Sequence, residues 1–246
     1  MFKNNSNCYQ LFVVVLSITI LAMIQGCSIK KNINNPAQLT FEQQTDILPI
    51  NVGVYISENN KNKVIEGEQS TGENALSSTT YFSSNIGQSL EPNILIAFSQ
   101  IFNNVIVVNN NTDMPSNIDT LIEIKIENSS WINKMKPFSF GQVNRTLEIH
   151  LKGFVKNKNK EIIKEYISKG ITTCEAWECF SGDTIEGESA GGVVLKALFV
   201  PFYGYTLASK EAKLLENALS STLQQAIQNL SEQLSADKST LVALLK

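Results

Sequence analysis

The chain has 246 residues, with 20 basic and 23 acidic side chains, a formal charge of −3, four cysteines and a single histidine, His150. That length suffices for one domain with a substantial buried core, and 43% apolar against 17% charged residues excludes bulk disorder. There is no basic excess to neutralise phosphates, which excludes nucleic acid as a main partner. One histidine cannot build a histidine-rich metal centre, so no metal and no cofactor is expected.

Residues 1–10 are polar with one cation, Lys3, and Leu11 to Ile24 then runs without a charge. The run is shorter than the ~20 residues a spanning helix needs and has the length of a signal-peptide apolar region. Ile24-Gln25-Gly26-Cys27 follows, an aliphatic residue three positions and a small one immediately before cysteine. This tetrapeptide resembles the lipobox of bacterial lipoprotein signal peptides. The resemblance implies cleavage before Cys27 and lipid on Cys27. With Ser28 rather than Asp next, it also implies an outer-membrane anchor at the periplasmic face. More than one acyl chain is needed for stable anchoring, and a processed lipoprotein cysteine supplies it. Residues 1–26 then form a signal peptide, the polar, Asn-rich stretch 27–46 a lipidated tether, and 47–246 a periplasmic domain.

The cysteines sort accordingly. Cys8 leaves with the signal and Cys27 carries lipid. Cys174 and Cys179 remain within CEAWEC. In an oxidising compartment these two are expected to pair, the short loop adding about 2 kcal/mol. Free thiols and a redox-active dithiol are the alternatives, the second against the usual C-x-x-C spacing.

Along the domain, Ile47–Ser57 (ILPINVGVYIS) is β-branched and apolar, a first strand. Residues 58–73 are polar and read as a long loop or an excursion with a short hairpin. From Phe82 to Phe102, apolar residues Ile86, Leu90, Ile94, Ala97, Phe98 and Ile101 recur at three and four, which predicts a helix. A cap at Gln88 or Ser89 would leave Pro92 in its first turn; an earlier start would put the proline inside. Val105–Val108 is a second strand. Asp119–Glu127 alternates, with Ile122, Ile124 and Ile126 on one face and Leu121 on the other. Asn144–Lys156 and Lys160–Thr172 form a hairpin around Asn157-Lys158-Asn159. Leu147, Ile149 and Leu151 share one face of it and His150 takes the other, where a strand histidine is solvent-facing or satisfied. Residues 181–192 are a Gly/Ser/Glu loop, and Gly191–Tyr205 is an apolar run, read as a buried strand or helix plus a turn at Pro201. From Ser209, a plausible N-cap, to Leu234 an amphipathic helix is predicted through Leu215, Ala218, Leu219, Leu223, Ala226, Ile227 and Leu230. The fold class is a single α+β domain: a mixed, mostly antiparallel sheet in the order β-α-β-β-β-β-α, with two main helices packed on one face.

No nucleophile elbow, zinc-binding HExxH pair, phosphate loop or dinucleotide fingerprint is present. The acidic pairs Glu186/Glu188 and Glu175/Glu178 lie on polar stretches, and their spacing does not define a cleft. A non-enzymatic role is therefore expected. Two features stand out as binding candidates. One is the apolar run, with Phe199, Phe202 and Tyr203, read as buried structure or as a surface for lipid or a partner. The other is the loop Ser129–Val143, with Trp131, Phe138 and Phe140 among lysines, read as cover over the sheet or as a binding rim.

Ile24-Gln25-Gly26-Cys27, the strand INVGVYIS, the helix NIGQSLEPNILIAFSQIF leading into NNVIVV, and the closing amphipathic helix together resemble small Gram-negative envelope lipoproteins. These include the YajG-type lipoproteins, the ABC-transport auxiliary lipoproteins that include PqiC, and the lipopolysaccharide-assembly lipoproteins; the curli secretion lipoprotein CsgG uses a related core. The resemblance implies an accessory role in envelope transport or assembly, with an envelope protein or lipid as partner. Of its site residues it carries over Cys27 alone. An oligomeric secretion pore of the CsgG type and an envelope hydrolase are the alternatives.

Overall fold

A computed structural model describes residues 28–34, 38–41, 47–71, 78–110, 114–135, 143–175 and 200–244. In chain order the elements are β1 (Ser28–Asn32), β2 (Leu48–Ile56), α1 (Glu58–Lys61), β3 (Val64–Thr71), β4 (Ser78–Asn85), α2 (Ile86–Ser99) and β5 (Phe102–Val107). Then come β6 (Thr120–Met135), β7 (Val143–Lys156), β8 (Ile162–Glu175), α3 (Val200–Ala236) and α4 (Lys238–Leu244). They form a five-stranded sheet in the order β5-β2-β6-β7-β8 and a three-stranded sheet in the order β1-β4-β3.

β2 lies in the middle of a parallel trio, bonded to β5 and β6. The longer ladders, β6–β7 and β7–β8, are antiparallel. Leu48, Ile50, Val52, Val54 and Ile56 alternate onto one face of β2 and are all buried. That face packs against both main helices: Leu90, Ile94 and Phe98 of α2 share a core with Leu219, Leu223, Ile227 and Leu230 of α3. The apolar stripe predicted for the closing helix is thus the buried one wherever its side chains are described. Ile122, Ile124 and Ile126 join this core, while Leu121 turns to a satellite cluster with Val108 and Ile118.

Four sequence expectations change. First, α2 is capped not by Gln88 or Ser89 but by Asn85, whose Oδ1 accepts the Gln88 N–H at 3.2 Å, so of the two readings the longer helix with Pro92 inside it holds. Second, Pro201 is not at a turn. α3 starts at Val200 and is 37 residues long, so Pro201 sits in its first turn, where a missing N–H costs nothing. Ser209 is consequently internal rather than an N-cap. Third, the stretch read as a loop or an excursion with a short hairpin holds α1 and the strand β3, whose hairpin partner is β4 beyond it, and β4 pairs in parallel with β1. Fourth, the stretch read as a tether is held at two places. β1 is a strand from Ser28 onward. Leu39 is buried, its N–H donating to the buried Asn93 Oδ1 at 2.8 Å. Both additions escape the sequence because Ser, Thr, Lys and Glu dominate the small sheet and hide its alternation.

β6 also runs eight residues past the predicted end. Its register shifts between Ile126 and Asn128, a β-bulge at Glu127. Even-numbered residues face the helices before the bulge; after it Ser129 and Trp131 pair with the inward-facing Ile149 and Leu147. The bulge therefore turns Trp131 toward the core. Asn60 Oδ1 accepts the Ile126 N–H at 2.9 Å, and Asn60 Nδ2 donates to Ser57 Oγ at 2.8 Å. A one-turn helix with a buried Asn thus satisfies the donor beside the bulge.

Candidate functional site

Trp131 is not on a loop rim. It lies on β6, half-buried, with Gly67 of β3 against it: a Cβ at Gly67 would stand 3.1 Å from its ring. Trp131, Ile33, Ile65, Phe82, Leu147 and Leu219 line an apolar slot of about 20 Å³ between the two sheets and α3. That is room for about one water molecule. Trp131 joins the small sheet to the main core, and any ligand entering there must part the two.

The other candidates separate. Phe138, Phe140, Phe199, Cys179 and Cys27 lie outside the described residues, as do residues 1–26 and 181–192. Cys174 pairs with Arg145 near the end of β8. Phe202 and Tyr203 fall in the first turns of α3. Residues 200–205 are helical, which rules out a membrane-crossing strand running the length of the apolar run. No described helix is long and apolar enough to cross a membrane; a strand-built span is a separate matter.

The sheet face away from the helices carries ion pairs. Glu123 is bonded to Lys156 Nζ at 2.6 Å and to Lys125 at 3.0 Å. Burial pushes its carboxyl up, but the two ammonium groups prevail and hold it below the ordinary glutamate range. Lys152 reaches Glu165 at 2.7 Å and Glu127 at 3.7 Å, its pKa raised chiefly by Glu165. Phe154 lies between the Lys125 and Lys152 ammonium groups, 4.9 and 5.5 Å from its centroid. His150 is on this face, as its strand position requires, 3.4 Å from Glu148, which also pairs with Lys169 at 3.2 Å. Lys169 first and His150 second hold the Glu148 carboxyl low. These charges are mutually compensated, the condition of a solvated surface. Among the described residues no group of three His, Cys, Asp or Glu side chains is placed to hold a metal ion.

A larger feature lies where α3 meets β8. An open groove of about 710 Å³ is walled by Thr40, Phe41, Thr172, Thr173, Gln224 and Gln228, among others. Its walls offer amides and hydroxyls, and Glu232 is the charged residue among those described. Its described walls suit an uncharged, hydrogen-bonding segment with an apolar element over Phe41. Gln224 Nε2 donates to the Thr40 carbonyl, so the segment before β2 forms one wall. Sequence reasoning missed this groove because it pairs the assumed tether with the polar flank of a helix read only for its apolar stripe.

Beside the groove, α3 lies along the outer edge of β8. Gln225 Oε1 accepts the Ile171 N–H at 2.7 Å, Asn229 Nδ2 donates to the Lys169 carbonyl at 2.8 Å, and Gln233 Nε2 donates to the Ile167 carbonyl at 2.9 Å. Spaced by four, these amides form one row on the helix. Gly170 makes the approach possible, since a Cβ there would stand 1.9 Å from the Thr222 carbonyl oxygen.

No protein-family profile matches the chain, and no curated protein matches it either. Among solved structures the chain is similar to a minor lipoprotein from Acinetobacter baumannii, at 8% identity and TM-score 0.35, over 80% of this chain and 96% of that one. It is also similar to an uncharacterized lipoprotein B from Nitrosomonas europaea, at 13% identity and TM-score 0.35, over 82% and 97% of the two chains. At such scores the backbones differ over much of their length, and no residue is carried across from either.

Proposed function

We propose that the chain is a lipid-anchored envelope lipoprotein whose domain is a non-enzymatic binding module, serving transport or assembly at the periplasmic face of the outer membrane. The observation that carries this reading is Ile24-Gln25-Gly26-Cys27 at the end of an uncharged run of signal-peptide length. The position of β1 gives the anchor a geometric consequence. A free 19-residue tether could span up to roughly 60 Å, but β1 begins at the residue after Cys27. Lipid on Cys27 would hold the Ser28 end of the small sheet close to the bilayer, on the side where β3 ends at Thr71 and β4 begins at Ser78. The main sheet and the groove would stand behind it.

Growth of an expressing bacterium with an alkyne fatty acid tests the anchor. The wild type should take up label and fractionate with membranes, and Cys27→Ser should do neither; equal labelling of the two overturns the reading. A photocrosslinking residue in place of Phe41 should give specific adducts in cells, and one in place of Lys152 on the ion-paired face should give none.

A further inference from the structure

We propose that β5 is a strand-pairing edge, and that its occupant is the β5 strand of a second copy of this chain, joined antiparallel about a two-fold axis. The inference stands whether or not Cys27 carries lipid. β5 is the outer strand of the main sheet opposite β8. The Val108 N–H bonds the Val54 carbonyl at 2.8 Å. In a parallel ladder the bonding residues alternate, so Asn104 and Ile106 also turn to β2, whereas the N–H and C=O groups of Val105 and Val107 point outward. The ladder shifts register between Leu48 and Asn51, where the Leu48 N–H bonds the Ile101 carbonyl at 2.6 Å, so the Asn103 N–H turns to β2 and its C=O alone points outward. Among the described residues none bonds those outward groups.

Natural edges are blunted by Lys, Pro, bulges or a covering element. β5 carries no Lys or Pro, the register shift in its ladder lies before Val105, and from Pro92 to Thr112 the sequence carries no charged residue. The strand is Phe102-Asn103-Asn104-Val105-Ile106-Val107, with Val105 and Ile106 half-buried. Pairing with itself opposes no like charges. With Val105 on the axis, Val105 faces its own copy and Asn103 faces Val107, so each outward N–H meets an outward C=O. The sheet does not grow further, because the far edge of each copy is occupied by its own Gln225, Asn229 and Gln233. One open and one occupied edge make a closed pair rather than a fibre.

The test is the mass of the full chain, extracted in mild detergent, by sedimentation velocity with hydrogen exchange read at Val105 and Val107. The wild type should sediment as twice the chain mass, with both amides protected. Val105→Pro removes an outward N–H and leaves the β2 ladder intact; it should give a single-chain mass with unchanged far-ultraviolet circular dichroism. Val107→Pro should behave the same and serves if Val105→Pro does not fold. A wild-type monomer with fast exchange at both positions overturns the proposal. So does a monomer with slow exchange, since the chain then covers its own edge. A larger open-ended series, or a dimer indifferent to both prolines, overturns it as well.

Discussion

The two edges of the main sheet solve one physical problem in opposite ways. β8 is a long edge with exposed Ile162, Ile167 and Ile171 on its outer face, a hazardous combination in isolation. The chain neutralises it from within. α3 lies close enough for its amides to occupy the edge carbonyls of Ile167 and Lys169 and the Ile171 N–H. β5 is short, uncharged and left without such a guard among the described residues. The difference shows that edge protection here is not a property of strand composition. It depends on whether a helix of the same chain can come near, and at β8 that rests on one position lacking a Cβ.

Gly170→Ala should therefore have the largest effect. Its methyl group would meet the α3 backbone at Thr222 and at the Ala226 nitrogen, 1.9 and 2.9 Å away. Backbone of a packed helix yields little, so the helix must lift from β8. A loss of about 3 kcal/mol is expected, seen as a fall of roughly 6–12 °C in Tm. If Tm is unchanged, α3 does not rest on β8 as described. The triple substitution of Gln225, Asn229 and Gln233 by Ala keeps the helix seated and removes only the guard. Each exposed bond is worth about 0.5–1.5 kcal/mol, with water replacing part of it, for a total near 2 kcal/mol. Hydrogen exchange at Ile171 should accelerate, and the protein should begin to form species larger than two chains. Accelerated exchange without larger species would mean that the amide row stabilises β8 but does not police it.

Much of this contrast lies outside what the sequence offers. The apolar stripe of α3 was legible because burial selects Leu, Ile and Ala at a helical period, and the strands of the main sheet were legible because one face of each is buried. His150 was placed correctly by alternation alone. The amide row was missed: Gln225, Asn229 and Gln233 flank the stripe at a spacing of four and look like any solvated helix face. The position of Trp131 was missed for a different reason. Its parity on β6 assigns it to the solvent face, and only the bulge at Glu127 reverses that; the bulge depends on Asn60, 66 residues away in sequence. The strand character of β1, β3 and β4 was hidden by polar composition, since a small sheet buries few of its side chains. The open edge of β5 was visible only as an absence of charge, which gains meaning once the strand is known to be outermost.

The smallest expected effect concerns how the guard is pinned at its far end. Asp237, at the junction of α3 and α4, accepts from the Tyr166 hydroxyl at 3.0 Å and pairs with Lys164 at 3.1 Å, both on β8. Lys164 first, then Tyr166, hold the Asp237 carboxyl below its usual range. Burial first, then Asp237, push the Tyr166 hydroxyl well above the ordinary tyrosine range. The depressed carboxyl contributes stability that is fully present above about pH 4, the unfolded value, and is lost as pH falls through its lower folded value. The raised hydroxyl contributes stability that is present below about pH 10 and declines as pH rises beyond it. Asp237→Asn should therefore lower Tm at neutral pH, and its curve should converge on the wild type in acid. Tyr166→Phe should diverge from the wild type least at the alkaline end. Parallel curves at every pH would show that these two groups pack against β8 without holding it electrostatically. The β8 edge would then be guarded by the amide row and the close approach at Gly170 alone.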